Sequence, residues 1–242
     1  MQIQDPWRRL GGAYFWRLVD QEHNRIIGRE LSGCREVLDL GCGYGSLTRY
    51  LGQRGFRVIG ADPDEATVHQ AYLLSPGLPL GTFRVLSGEQ LDFSDQRFDA
   101  VVLRDTLHHL FGESDLGAAM AHIERVLKPG GLLVILDPQP NWVVKLCRWL
   151  SKHRDWEFSA GKALALLNAR GWRVSSVRFT EAFALPLSGG YVGHVVLPSW
   201  RWLWKLVLWA NRVTSAAINS VGLGSLLLWR YLIVAHVPVR SA

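Results

Sequence analysis

Apolar runs in this chain alternate with stretches in which apolar residues return every third or fourth position. The runs are Val37 to Leu40, Phe56 to Ala61, Thr82 to Leu86, Phe98 to Leu103, Leu132 to Pro138, Trp172 to Phe179 and Leu228 to Val237. Between them, SLTRYLGQRG, DEATVHQAY, the segment with Ala118, Ala119, Ile123, Val126 and Leu127, and SAGKALALLNARGW have helical spacing. Short runs buried on both faces, alternating with amphipathic helices, predict an α/β fold around a largely parallel, doubly wound, Rossmann-like sheet. LKPGG before the fifth run is expected to be a turn. Residues 7–31 predict one or two amphipathic helices ahead of the first strand, and residues 141–158 another after the fifth.

The candidate chemistry gathers at Glu36 to Thr48, EVLDLGCGYGSLT. An apolar strand ending in Asp39 and Leu40 breaks into Gly41, Cys42, Gly43 and Gly45, and a helix begins at once. Glycines let a ligand approach the backbone, and the N–H groups of the helix start point toward it. A dinucleotide fingerprint needs a third glycine at position 46; the chain has Ser46 and a GxGxG pattern instead. About twenty residues on, the second strand ends in Asp62 and Pro63, where an acid accepts hydrogen bonds from ribose hydroxyls.

LDLGCGYG is similar to the first motif of class I S-adenosylmethionine-dependent methyltransferases, and LHHL and LKPGG resemble later phrases of that family. The resemblance covers residues 36–137 well, the sixth and seventh strands loosely, and residues 181–225 not at all. It implies a seven-stranded sheet, mostly parallel with an antiparallel last strand, and S-adenosyl-L-methionine as cofactor. The glycine turn would pass beneath the methionine portion and ribose, with Asp39 near the amino group. The family places an acid after the third strand against the adenine amino group. Ser87 stands there in this chain, leaving its hydroxyl or the backbone from Gly88 through Glu89 to Gln90 for that contact. A leader such as residues 1–35 covers the cleft in this family, bringing Tyr14, Arg17 or His23 within reach of ligand.

The fourth strand ends in Arg104 and Asp105, which places them with His108 and His109 at the carboxyl edge of the sheet, where open α/β folds bind ligands. Arg104 joins the cofactor-contact set. Histidine titrates near working pH and is suited to take a proton from a hydroxyl acceptor. His109 is the first candidate, His108 the second, and Asp137 and Asp105 follow. An amine or an activated ring carbon as acceptor needs no base.

Composition adds two things. The net charge is +6, and eleven tryptophans are present among 242 residues. Trp200, Trp202, Trp204 and Trp209 are interleaved with Arg201, Lys205 and Arg212, the mixture found at bilayer interfaces. Residues 181–225 are therefore expected to be a helical insertion between strands six and seven, with residues 36–180 and 226–242 as the core. The insertion would rest on a membrane through residues 198–212 or enclose a greasy substrate; a dimer interface or a tryptophan-rich core remains open. Leucine and valine dominate it and lysines are few, which ranks nucleic acid below these. Cys34, Cys42 and Cys147 have no metal-ligand spacing and no disulfide framework, and the first fifteen residues lack an apolar targeting core. These point to a cytoplasmic protein, peripheral on the inner face of a membrane if the insertion docks there.

The expected activity is methyl transfer to a small amphiphilic or lipid-linked acceptor, at a hydroxyl or ring carbon. The alternatives are a cofactor-binding partner subunit without catalysis and an RNA methyltransferase. Ser46 counts against a nicotinamide oxidoreductase. The oligomeric state stays open.

Overall fold

Strand alternation sorts the side chains of the first strand onto two faces, and both are covered. Val37 points to a layer with Ile27, Leu31, Leu47 and Leu51, whereas Leu38 and Leu40 join Leu107, Met120, Ile123 and Leu167 on the other side. The result is a three-layer arrangement of helices on both faces of one sheet. The computed structural model describes residues 13–113, 115–142, 144–145, 157–187, 198 and 200–238.

In chain order the elements are α1 (Ala13–Glu30), β1 (Glu36–Leu40), α2 (Ser46–Gly52), β2 (Arg57–Asp62), α3 (Glu65–Leu73), β3 (Phe83–Val85) and β4 (Phe98–Arg104). They continue with α4 (Leu107–Glu113), α5 (Leu116–Val126), β5 (Leu127–Pro138), α6 (Ala160–Ala169), β6 (Arg173–Thr180), α7 (Arg201–Ser220) and β7 (Arg230–His236). Single helical turns occupy Ala184–Leu187 and Gly224–Leu227. The seven strands lie in the order β3-β2-β1-β4-β5-β7-β6. β1, β2, β3, β4 and β5 pair in parallel, and β7 runs antiparallel between β5 and β6, as the motif resemblance implied. The order reverses between β1 and β4, opening a crevice at their carboxyl ends.

Two expectations change. LKPGG is not a free turn: it forms the irregular head of β5, where pairing jumps from Phe98↔Leu127 to Ala100↔Leu132 and Gly130 takes a φ of 74°. The helix expected over residues 141–158 lies largely outside the described residues.

α7 is attached to the sheet edge by asparagines. Asn219 donates to the carbonyl of Phe179 at 2.7 Å and accepts from the Phe179 N–H at 3.2 Å, so its amide occupies part of the open edge of β6. The buried Asn211 Oδ1 accepts from the N–H groups of Ala182, Phe183 and Ala184 at 3.0, 3.0 and 3.1 Å. The same helix seats Trp204, fully buried, among Val19, Ala184, Val207 and Leu208.

Replacing Asn211 with alanine strands three donors, one buried and two part-buried, at the start of a helical turn. The Asn211→Ala variant should lose about 1–3 kcal/mol in urea unfolding. An unchanged midpoint would show that water replaces the amide without cost.

Candidate active site

The turn after β1 is built by backbone conformation first. Gly41 has a φ of 75°, and a Cβ there would stand 2.2 Å from Thr106 Oγ1, so only glycine lets the end of β4 pack against it. Gly43, with a φ of 50°, has nothing within 4 Å of its missing Cβ and faces open space. The N–H groups of Gly41 and Cys42 donate to the carbonyl of Ala61 at 2.7 and 3.0 Å, and that of Gly43 to Asp62 Oδ2 at 2.9 Å. These bonds fix the turn to the end of β2.

The turn is the floor of a cavity of about 720 Å³, within the range of small-molecule sites. Its wall is formed by Gly41, Cys42, Gly43, Asp62, Pro63, Ser87, Gly88 and Arg104 from the sheet edge, with Asp105 and Thr106 just after β4 and His109 in α4. α1 closes the cavity with Arg17, Asp20, Gln21 and Asn24, four positions on one helical face. Arg104 Nη1 joins Asp20 Oδ1 at 2.9 Å and Asn24 Oδ1 at 2.6 Å, and Asp20 also accepts from the Ser46 hydroxyl. Burial alone would lower the Arg104 pKa, but Asp20, Asp105 and Asp39 outweigh it and hold the guanidinium charged. Asp20, Gln21 and Asn24 were missed in the sequence; their signal was that, with Arg17, they form a polar i, i+3, i+4, i+7 set within an otherwise apolar-faced helix.

Several predicted residues sit elsewhere. Asp39 is 1% exposed and accepts from Thr48 Oγ1 at 2.7 Å, beneath the turn rather than in the cavity. Alternation along β1 explains this, since position 39 shares the face of Val37, toward α2. His108 is buried: its backbone N–H and Nδ1 both meet Asp137 Oδ2, at 3.1 and 3.0 Å. Neither it nor Asp137 lines the cavity. Burial pushes the Asp137 carboxyl up, against the opposing pull of His108. Glu89 turns away to accept from the Asp115 N–H, Gln90 is exposed outside the cavity, and Gly45 caps α2 against Phe83. His23 meets Glu181 at 2.5 Å in the interior, whereas Arg17 does reach the cavity. The side chain of Tyr14 lies outside the described residues.

Asp105 feels the charges of both Arg230 and Arg104. Burial would raise its carboxyl, but Arg230 and Arg104 outweigh this and keep it below the ordinary range. Arg230 pairs with it directly. His109 is exposed at the cavity wall, with its ring centroid 4.2 Å from that of His108.

Residues 38–135 match the family described as Methyltransferase domain. A protein from Archaeoglobus fulgidus, solved as a SAM-dependent methyltransferase, superposes with a TM-score of 0.63 at 20% identity, covering 91% of this chain and 93% of the other.

Residues 38–135 carry a class I S-adenosylmethionine-dependent methyltransferase domain.

The fold by itself leaves the chemistry open, since the [4+2]-cyclase SpnF superposes equally well, with a TM-score of 0.63 at 19% identity over 91% of this chain and 83% of its own. A ubiquinone biosynthesis O-methyltransferase from Rhodopseudomonas palustris is 35% identical over 113 residues, 46% of this chain. The chain spans less than half the length of that relative, 42%. S-adenosylmethionine is the cofactor of this domain, and the chain's own residues fit it. Gly43 leaves the floor free of side chain, and each Asp62 oxygen retains a lone pair for a ribose hydroxyl beyond the N–H groups of Gly43 and Asp64. Among the described residues no cluster could hold a metal ion.

Burial raises the Asp39 carboxyl above its ordinary range despite the Thr48 hydrogen bond and Arg104. A carboxyl raised on folding favours the folded state while protonated, and that advantage is lost as pH rises from the unfolded value, near 3.8, through the raised folded one. Asp39→Asn cannot ionise, so its melting temperature relative to the unsubstituted protein should improve as pH rises across that window. A difference independent of pH would mean that Asp39 is not desolvated as described.

Proposed function

We propose that this chain transfers the methyl group of S-adenosylmethionine to a hydroxyl on a small amphiphilic acceptor, with His109 taking the hydroxyl proton. The observation that carries this reading is the different placement of the paired histidines. His108 is held in the interior by Asp137, while the neighbouring His109 presents its ring to the cavity beside Asp105 and Thr106. The cofactor supplies an already activated methyl group, so the protein's tasks are to align the acceptor, exclude water and accept one proton.

Asp62 and the backbone from Gly41 to Gly43 would hold the nucleoside end, and Ser87 and Gly88 would border the base. Asp20 and Asn24, fixed by Arg104, would close the cavity from above. An oxygen acceptor is favoured by an accessible histidine at the rim, and several curated relatives of the core are O-methyltransferases of ubiquinone biosynthesis. The stretch shared with those proteins is 113 residues long, so the acceptor of this chain is inferred from its own residues.

Asp62→Ala should weaken S-adenosylhomocysteine binding by roughly tenfold to a hundredfold in calorimetry, the cost of losing hydrogen bonds to a charged group. His109→Gln should bind S-adenosylhomocysteine normally while turnover falls by about a hundredfold or more. Turnover can be followed by incubating the protein with a lipid extract and isotopically labelled cofactor and locating the label by mass spectrometry. Label on nitrogen, or undiminished turnover by His109→Gln, would end the assignment of His109 as the base.

A further inference from the structure

α7 has apolar residues on both of its faces. The inner face is Trp204, Val207, Leu208, Asn211 and Ser215, all buried against Val19 of α1 and the turn at Ala184. The outer face exposes Trp202 (62%), Leu206 (50%), Trp209 (59%) and Val213 (50%), spaced by four, three and four residues, so they form one stripe. Trp200 stacks on Trp202 with ring centroids 5.8 Å apart and extends the stripe at one end. Exposed indoles and aliphatics aligned on one side of a helix cost stability in water and mark a contact surface.

Charge decides what that surface meets. All 21 acidic residues of the chain lie at or before Glu181, so the last 61 residues carry five basic side chains and no acid. That segment therefore accounts for five of the six net positive charges. Arg201 and Lys205 are exposed beside the stripe, and Arg212 reaches across to Glu22 of α1 at 2.9 Å. A second copy docked symmetrically on this helix would bring the same basic residues together without an acid from the segment to offset them. The surface is not a cover for the methyl-transfer cavity either, since no residue of α7 lines that cavity. Among the described residues no helix is long and apolar enough to cross a membrane.

We infer that α7 lies flat on an anionic lipid bilayer, with Trp202, Leu206, Trp209 and Val213 at headgroup depth and Arg201 and Lys205 on lipid phosphates. Indole rings belong at that depth, and cationic side chains flanking them add attraction to anionic headgroups. α1 is then the shared partner of both surfaces. Its polar face closes the cavity through Asp20 and Asn24, while Leu18, Val19 and Glu22 on its other side receive α7. This inference adds a partner to the methyl-transfer reading and does not depend on it, because vesicle binding is measured without turnover.

The test is sedimentation of the full chain with vesicles of phosphatidylcholine alone and of phosphatidylcholine mixed with phosphatidylglycerol, at low and high salt. Binding should favour the anionic vesicles and weaken as salt rises. The double variant Trp202→Ser/Trp209→Ser should lower the partition coefficient by about tenfold or more, while Leu80→Ser, at an exposed site away from α7, leaves it unchanged. A thermal shift with S-adenosylhomocysteine equal to that of the unsubstituted protein certifies that the double variant is folded. Equal binding of the double variant and the unsubstituted protein overturns the inference. So does absence of vesicle binding together with a doubled mass in light scattering that the double variant abolishes, which would assign the stripe to a second copy of the chain.

Discussion

Three backbone donors hold the working part of this molecule together. Gly41 and Cys42 donate to the carbonyl of Ala61, and Gly43 donates to the carboxylate of Asp62. Through them the turn after β1 is tied to the last residues of β2, the acid at the end of β2 is aimed, and α2 begins with Ser46 at the cavity wall. Thr106 then packs against Gly41 in space that any side chain would fill. The carboxyl ends of β1, β2 and β4 are thus locked to one another by contacts that depend on glycine at a single position.

α1 converts that edge into an enclosed cavity. Its attachment is polar on the cavity side, where Arg104 gathers Asp20 and Asn24, and apolar on the far side, where Val19 meets Trp204. A second group of polar side chains, buried except for the partly exposed Asp105, sits where the insertion leaves the sheet. His23 of α1 meets Glu181, and Arg230 at the start of β7 meets Asp105 at the cavity wall. Asp105 and Glu181 both adopt left-handed backbone, with φ of 56° and 69°, a conformation that costs energy outside glycine and persists only where the surroundings enforce it. Burial would raise the Glu181 carboxyl, and His23 together with Arg230 outweighs it. The cavity, α1 and the segment after β6 are therefore linked through these pairs; His23–Glu181 is buried on both sides, where losing one partner is costly, whereas Asp105 is partly exposed.

The division between shared and individual parts follows the charge distribution. The domain match ends at residue 135, whereas the excess positive charge and the exposed tryptophans of α7 come after residue 181. The matched portion supplies the cavity-lining residues from Leu40 to Leu110. The segment after residue 181 lies beyond the matched portion and carries the exposed indoles of α7.

The places of the strands along the chain, the glycine turn and the acid at the end of β2 were legible in the chain because each has a local cause. Apolar run length, glycine spacing and a polar residue at a strand end all act within a few positions of sequence. The fate of individual side chains was not legible, because it depends on which face of a strand or helix meets a neighbour. Asp39 shares the face of Val37 and is buried beneath the turn, adjacent histidines part between interior and cavity, and Asp20 and Asn24 become cavity residues only because Arg104 arrives from β4. Likewise the tryptophans of residues 200–209 were evident as composition, yet only packing could assign Trp204 inward and Trp202 and Trp209 outward. Such assignments rest on contacts between residues as much as 185 positions apart, such as Val19 with Trp204, and no local pattern encodes them.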